Sequence, residues 1–252
     1  MVDVHNTFYA FTSAANLLVS DEDAADFLQS QFTNDLRPFE AGRVTYGLWL
    51  NVKGKVIADS AVLCEGAESF RILSEHGCSA EIVEHLERHI IADDVEITDC
   101  AAVSVFEFSA SVGEHLGLEL PETGQWTEMD EGRIVAPRTG VFWLLLNAGV
   151  DRAALKEAWI NAGLAPLSDD ERGRARIAAA LPAIPQEIGA TDLPGEGQLE
   201  LDAISFTKGC YLGQEVVARM HNVGRAQRRL FVVTGSGRPP SFPRPLENTD
   251  GK

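Results

Sequence analysis

The pattern of strands and helices is the feature that most constrains how this chain folds. Apolar runs predict strands at residues 43–50, 56–64, 95–98, 103–108 and 141–146. Amphipathic spacing predicts helices that begin near Ser20, Ser79 and Asp151. These elements are mixed without a regular βαβ repeat, which favours an α+β fold over a doubly wound parallel sheet. With 252 residues, the chain can bury one large core or two moderate ones.

The helix bounds rest on capping signals and on helical spacing. Ser20 precedes three acidic residues and predicts an N-cap, from which a helix should run to about Ser30. The helix after Asp151 should end at Gly163, a residue suited to a C-terminal cap. The buried face of this later helix is predicted to contain Leu155, Ala158 and Trp159.

The net charge of −17 disfavours direct contact with nucleic acid or anionic membranes. The segment from Lys208 to Lys252 departs from this balance, because it holds eight Lys or Arg and only three Asp or Glu. This basic segment is either a solvated face or an anion-binding wall for a ligand tail or a partner protein. Residues 235–252 contain four prolines and few apolar residues, which predicts an irregular tail.

The four cysteines form no C-x-x-C pair, and no histidine lies at metal-ligand spacing from them, so we expect no metal site built by this chain alone. Cys64, Cys78 and Cys100 are interpreted as small buried hydrophobic residues. The low cysteine content fits a reducing compartment. The N-terminus shows no signal or transit peptide, and no apolar run could span a bilayer, so we expect a cytoplasmic monomer.

The segment from Lys208 to Arg219 has the clearest chemical signal. Gly209 and Gly213 allow tight turns and close backbone approach, and helix-forming residues begin at about Gln214. Cys210 should therefore lie just before a helix N-terminus and near the Lys208 charge, both of which favour a thiolate. Spacing alone leaves open whether Cys210 is a reactive thiol or a buried hydrophobic residue.

This segment reads Lys-Gly-Cys-Tyr-Leu-Gly-Gln-Glu and reaches Arg219 after three further residues. It resembles the K-G-C-[YF]-x-G-Q-E-x-x-x-R signature of the YgfZ group, which includes the mitochondrial Iba-type iron–sulfur assembly factors. Residues 27–35 are similar to the group's [YF]-L-Q-G-Q-x-T-x-D stretch, with Ser30 in place of glycine. Residues 53–55 match its K-G-K turn. The resemblance covers roughly residues 8–232.

The YgfZ group is similar to the glycine-cleavage T-protein, a folate-dependent aminomethyltransferase. The resemblance implies two related α+β halves around a central folate channel, followed by a C-terminal β-barrel. We therefore predict that residues 1–229 form the T-protein-like folate-binding region, as two interleaved halves. Residues 230–252 would be the truncated start of the barrel and a tail, so most of the barrel would be absent. A strand at 230–234 would then lack partners.

The resemblance also assigns site residues. Tyr46 would face the pterin, and Asp59 falls where the T-protein has its catalytic aspartate. Arg176 is either a folate contact or a solvated charge on a helix over residues 169–180. Cys210 and Asp59 are the candidate catalytic residues. The remaining candidate folate contacts come from the signature segment and are Lys208, Tyr211, Gln214, Glu215 and Arg219. For Glu215 and Arg219, a surface ion pair is the alternative.

Two acidic groups of the T-protein site are missing. Ala58 replaces the first aspartate of its D-D pair, and the R-T-G-Y-T-G-E stretch is reduced to Arg138-Thr139-Gly140. Since aminomethyl transfer needs positioned acid–base groups, their absence argues against that reaction. We therefore expect a tetrahydrofolate-binding accessory protein for iron–sulfur enzymes or cluster carriers, including tRNA-modifying enzymes, and no classical enzyme. The alternatives are folate-dependent C1 transfer and a non-catalytic interaction module.

Overall fold

The structure is a computed structural model that describes residues 6–222, 224 and 228–233. Its strands are β1 (Thr7–Thr12), β2 (Ala15–Ser20), β3 (Val44–Leu50), β4 (Val56–Gly66), β5 (Ser69–Ser74), β6 (Glu96–Asp99), β7 (Ser104–Phe108), β8 (Trp126–Met129), β9 (Gly132–Arg138), β10 (Val141–Leu146) and β11 (Ala165–Pro166). Its α-helices are α1 (Ala24–Gln31), α2 (Ser79–Glu87), α3 (Ala110–His115), α4 (Arg152–Asn161), α5 (Asp169–Ala178) and α6 (Gln214–Asn222). Two short 3-10 helices cover Pro194–Glu196 and Leu199–Leu201.

The first sheet has the strand order β3-β4-β5-β2-β6, and all its neighbouring strands are antiparallel. One face of this sheet is covered by α1 and α2. Their buried apolar residues pack with those of the strands into one core, which includes Leu28, Ile82, Leu86, Trp49 and Phe70.

The second sheet has the order β11-β1-β7-β10-β9-β8, and its only parallel pair among the described residues is β1 with β11. Trp159 of α4 is buried in its core with Phe8 and Phe106. The first strand of the chain thus lies in the second sheet, while β2 to β6 build the first. The strands of the first sheet therefore lie, along the chain, between β1 and the remaining strands of the second sheet.

The two sheets pack against each other through a shared apolar layer. Successive side chains of a strand point to opposite faces, so β4 serves two cores. Val62 and Cys64 face the helices, whereas Ala61 and Leu63 face Val105 and other residues of the second sheet. Asp59 lies two residues before Ala61 on the same strand, so its side chain projects from the same face, which meets the second sheet.

The predicted α+β class is confirmed, and the described residues contain no closed barrel. Every predicted strand within residues 43–146 is present, with bounds shifted by at most two residues. Asp151 is the predicted N-cap of α4, and its carboxylate accepts hydrogen bonds from the amides of Ala153 and Ala154. Gly163 follows that helix with φ of 91°, as a left-handed C-terminal cap requires.

Four predictions about local structure are wrong. Ser20 is the last residue of β2, paired with Ser69, so Asp23 takes the N-cap position of α1. Ala158 is exposed, because Trp159 is the only residue of α4 that is buried. Cys78 is exposed at the N-cap of α2. Residues 230–233 form no strand; Thr234 and the predicted tail at 235–252 lie outside the described residues. No helix among the described residues is long and apolar enough to cross a membrane.

Candidate functional site

The three segments that carry the sequence resemblance contact one another. The Lys208 ammonium donates hydrogen bonds to the carbonyl oxygens of Gln29, Phe32 and Asn34, at 2.7, 2.7 and 2.9 Å. The Leu212 amide donates to the Ser30 carbonyl at 3.0 Å. Lys208 is thus buried against carbonyl groups at the C-terminal end of α1 and in the segment just after it. Residues 27–35 and 208–212 form one clamped unit.

The Lys53-Gly54-Lys55 turn completes this unit. Gly213 has φ of 80°, and a Cβ there would lie 2.6 Å from the Asn51 carbonyl oxygen and 3.0 Å from the Gly54 Cα. Only glycine permits this close backbone approach, which confirms the role predicted for Gly213. Helix α6 begins at the next residue. The turn between β3 and β4 therefore fixes where α6 starts.

Cys210 is exposed on this clamped loop, four residues before α6 begins. Cys210 lies before a helix, as predicted. The Lys208 charge was also expected to favour a Cys210 thiolate, and the geometry does not support that effect. The Lys208 ammonium is directed into the protein, where its hydrogens are donated to backbone carbonyls. Burial lowers the pKa of Lys208 to about 8, so the group remains mainly charged at neutral pH. The thiolate at Cys210 stays a prediction.

A cavity of about 260 Å³ lies between the two sheets and α5. Its wall combines aromatic and apolar side chains with a cluster of charged ones. The charged and ionisable residues that line it are Tyr9, Tyr46, Asp59, Glu75, His76, Glu107, Arg138, Arg172 and Arg176. A mainly apolar cavity with a few converging polar groups is the usual form of a small-molecule site.

Tyr46 and Asp59 form one wall of this cavity from β3 and β4. The Tyr46 hydroxyl donates to the Asp59 carboxylate at 2.8 Å, and the Arg138 guanidinium lies 4.5 Å from the Tyr46 ring centre. Burial raises the pKa of Asp59, while the Tyr46 hydroxyl and more distant charges act in the opposite direction. The structure therefore brings together the two residues that were predicted to face the pterin and to stand at the catalytic position.

Sequence reasoning missed a second charged group in the cavity, formed by Glu75, Glu107 and Arg172. The Arg172 guanidinium binds Glu107 through two nitrogens, at 2.7 and 2.9 Å. Glu75 lies beside this pair, with an oxygen 3.7 Å from Arg172 and the other 3.3 Å from the His76 imidazole. Burial raises the pKa of Glu75 to about 7. The signal in the sequence was weak, since Glu75 and His76 simply follow a strand.

Arg176 also lines the cavity, but its guanidinium already has strong partners. It binds the Glu187 carboxylate at 2.8 Å through both terminal nitrogens and donates to the Leu181 carbonyl oxygen at 2.6 Å. Its side chain is only 16% exposed. The solvated-charge interpretation is therefore wrong, and a folate contact by Arg176 stays a prediction.

The other residues of the signature segment lie outside the cavity wall. Tyr211 is buried in a cluster that includes Tyr46, so the Cys210 loop packs on the back of a cavity residue. The Gln214 side-chain oxygen accepts a hydrogen bond from the Tyr211 amide at 3.0 Å. Glu215 and Arg219 are exposed on α6. The folate-binding role of these residues stays a prediction, and the geometry gives Lys208, Tyr211 and Gln214 an architectural one.

Within the described ranges, no group of three or more His, Cys, Asp or Glu side chains is arranged to hold a metal ion.

The chain is similar in sequence to known proteins. Residues 5–108 match the family model of the GCVT N-terminal domain. The chain is 28% identical to the mitochondrial iron–sulfur cluster assembly factor IBA57 of Mus musculus, over 92% of this chain and 67% of that protein. It is 27% identical to the tRNA-modifying protein YgfZ of Sodalis glossinidius, over 96% of this chain and 75% of that protein.

A solved structure shares the fold at low identity. The glycine cleavage system aminomethyltransferase T of Bartonella henselae superimposes with a TM-score of 0.72 at 16% identity. The match covers 87% of this chain and 65% of the other, so the chain spans about two thirds of that protein. The fold and its inter-sheet cavity define a T-protein-like α+β protein. Within that class, the resemblance to YgfZ-type proteins that was recognised from the sequence is confirmed.

Proposed function

We propose that this protein binds tetrahydrofolate or a related folate in the inter-sheet cavity and supports the assembly or repair of iron–sulfur enzymes, including tRNA-modifying ones. The observation that carries the proposal is the exposed Cys210, held on a loop that the other two signature segments clamp in place. The names of the similar proteins, an iron–sulfur cluster assembly factor and a tRNA-modifying protein, support the same process.

The cavity fits the head group of a folate. Its volume of about 260 Å³ lies just below the range of small-molecule sites, roughly 300–1,000 Å³, so it suits a bicyclic ring with the rest of the ligand outside. The aromatic rings of Tyr46 and Trp143 line the cavity and offer surfaces for a flat ring. Asp59 and Glu75 add acceptors for ring N–H groups. A bound folate would supply a one-carbon carrier, and the protein's own residues would orient it.

Cys210 is proposed to act on the outside of the molecule, towards a partner. An exposed thiol can reach a cluster carrier or a client enzyme without any opening of the cavity. A single cysteine provides one ligand of the several that an iron–sulfur cluster needs, so any cluster would be shared cargo. The net charge of −17 supports protein partners over direct nucleic-acid contact. The further proposals of a cytoplasmic location and a monomeric state rest on the sequence alone.

The test compares two exposed cysteines in cells that lack the native protein. Cys210→Ala should abolish the activity of a cluster-dependent tRNA-thiolating enzyme, measured as thiolated tRNA. Cys78 is also exposed, at the N-cap of α2, and Cys78→Ala should restore full activity. Both variants should be present at the wild-type level. Full restoration by Cys210→Ala would refute the role of this thiol.

A second candidate function is folate-dependent C1 transfer. It is favoured by one observation, the half-buried Asp59 that faces the cavity with its pKa raised by desolvation. A raised pKa makes a carboxyl group a better proton acceptor when ionised, as acid–base catalysis requires. Incubation with tetrahydrofolate and an aminomethyl thioether donor, whose carbon is at the formaldehyde oxidation level, should then yield methylene-tetrahydrofolate with release of ammonia and the thiol, and Asp59→Asn should abolish the product. The accessory function predicts no product from either form.

A further inference from the structure

Three carboxyl groups face the cavity, and their hydrogen bonding differs. Glu107 accepts from the Arg172 guanidinium and from the Trp143 indole at 3.1 Å. Asp59 accepts from the Tyr46 hydroxyl. No hydrogen bond reaches the Glu75 carboxyl from the described residues; its two charged or ionisable contacts lie at 3.3 and 3.7 Å. A half-buried carboxyl without a donor is unusual, because such groups are normally satisfied within the protein or by a bound molecule.

The surroundings of Glu75 explain why no protein group supplies this donor. Arg172, the nearest cation, is held by both oxygens of Glu107. The Arg176 guanidinium is held by Glu187. Burial lowers the pKa of His76, so its imidazole is mainly neutral at neutral pH. Among the described residues, no cation near Glu75 therefore donates a hydrogen bond to it, although the Arg172 guanidinium lies 3.7 Å away. The side chain keeps 19% of its surface exposed, so a molecule in the cavity can reach its oxygens.

We propose that the Glu75 carboxylate is a specificity-determining contact, which accepts the paired N–H donors on the edge of a flat nitrogen heterocycle bound in the cavity. The amino-pyrimidine edge of a folate head group presents such a pair, and a carboxylate can accept two parallel hydrogen bonds from it. This inference rests on the folate binding proposed above. It adds a residue at the end of β5, next to Asp59 on the neighbouring strand β4.

The proposal predicts that binding is linked to a proton. Ionisation of Glu75 is opposed by burial, by Glu107 and by Asp59, and is favoured by Arg172 and Arg176. The net result is a pKa of about 7 in the free protein. Since only the carboxylate accepts two N–H donors, the ligand binds the ionised form. Affinity should fall as pH drops below about 7, approaching tenfold for each pH unit, with release of a proton on binding.

The experiment is titration calorimetry of the full chain with 5-formyltetrahydrofolate, whose own groups do not titrate between about pH 6 and pH 8. In wild type, the buffer dependence of the heat should show proton release at pH 6 and almost none at pH 8. Glu75→Gln and Glu75→Ala should bind roughly 10- to 100-fold more weakly at pH 8, the usual effect of losing a hydrogen bond to a charged group. Neither variant should show the proton release. Glu157→Gln, an exposed change on α4, should match wild type.

A second ligand tests the specificity. An analogue whose 2-amino group is replaced by methyl should bind wild type at least tenfold more weakly, and it should bind Glu75→Ala as well as the parent ligand does. If wild type binds the folate but Glu75→Gln and Glu75→Ala keep its affinity and its proton release, the inference about Glu75 is wrong and folate binding stands. If wild type binds no folate at any pH, both proposals fail. Wild-type binding without proton release overturns the inference even if a variant does not fold.

Discussion

The Lys208 ammonium lies 2.7 Å from the Phe32 carbonyl oxygen, although the two residues are 176 positions apart. This contact joins the end of α1 to the loop that carries Cys210. Lys208 therefore holds the Cys210 loop against the end of α1, a role that its position near Cys210 in the sequence did not predict. The arrangement explains why the motif needs a long cationic side chain two residues before the exposed thiol.

Replacing Lys208 with methionine should destabilise the protein by about 3 kcal/mol, because the buried carbonyl groups lose charged donors while the apolar stem is kept. Urea denaturation measures the change in the free energy of unfolding. Lys156→Met is the control, since Lys156 is exposed on α4, and it should change stability by no more than about 0.5 kcal/mol. Equal urea midpoints for the two variants would show that the contacts of Lys208 contribute nothing.

Gly213→Ala should cost more than about 2 kcal/mol. The added Cβ overlaps backbone atoms of the Asn51–Gly54 turn, which cannot rotate away, and alanine is strained at φ of 80°. Gly209 provides a matched control in the same motif, because a Cβ there meets no heavy atom within 4 Å. Thermal unfolding followed by circular dichroism should show a clear loss for Gly213→Ala and little change for Gly209→Ala. A similar loss for both would contradict the packing described here.

Tyr46→Phe should raise the pKa of Asp59 further. Burial already raises this pKa, and the Tyr46 hydroxyl counteracts it by donating a hydrogen bond to the carboxylate. Infrared titration of the aspartate carboxyl band, compared with Asp59→Asn to assign it, measures the shift. Tyr9→Phe is the control, since the Tyr9 hydroxyl donates to Asp169 and should leave the pKa of Asp59 unchanged. An unchanged pKa in Tyr46→Phe would mean that the hydrogen bond is not formed in solution.

Glu75→Gln should alter how stability depends on pH. The pKa of Glu75 is about 7 in the folded protein and near its ordinary value of 4.5 when unfolded. The folded state thus holds this proton more tightly, so the contribution of Glu75 to stability is full below about pH 4.5 and is lost as pH rises through 7. The size of the loss is on the order of 3 kcal/mol. Urea midpoints at pH 5 and pH 8 should differ less for Glu75→Gln than for wild type, whereas Glu157→Gln should follow wild type. Parallel pH profiles for Glu75→Gln and wild type would argue against the raised pKa.

Local sequence patterns were sufficient for several elements. The Asp151 cap, the alternation along β4 and the helix that follows Cys210 all depend on neighbours within one or two turns, and all are present. Ser20 shows where such patterns fail. Ser20 is followed by acidic residues, as an N-cap often is, but it is the last residue of β2 and pairs with Ser69 of β5 instead. The exposed Ala158 fails for the same reason, because only one edge of α4 meets the second sheet.

The sequence by itself determined the α+β class, the family resemblance and the positions of Tyr46, Asp59 and Cys210 in their segments, since motifs and periodicity are local properties. Only the tertiary structure decided that Lys208 points inward, that Arg176 is held by Glu187, and that Glu75 faces the cavity without a donor. Each of these facts depends on which distant carbonyl or carboxylate lies within hydrogen-bond reach. These contacts join residues that are far apart in the sequence, so they depend on tertiary packing and cannot be predicted from any single segment of the chain.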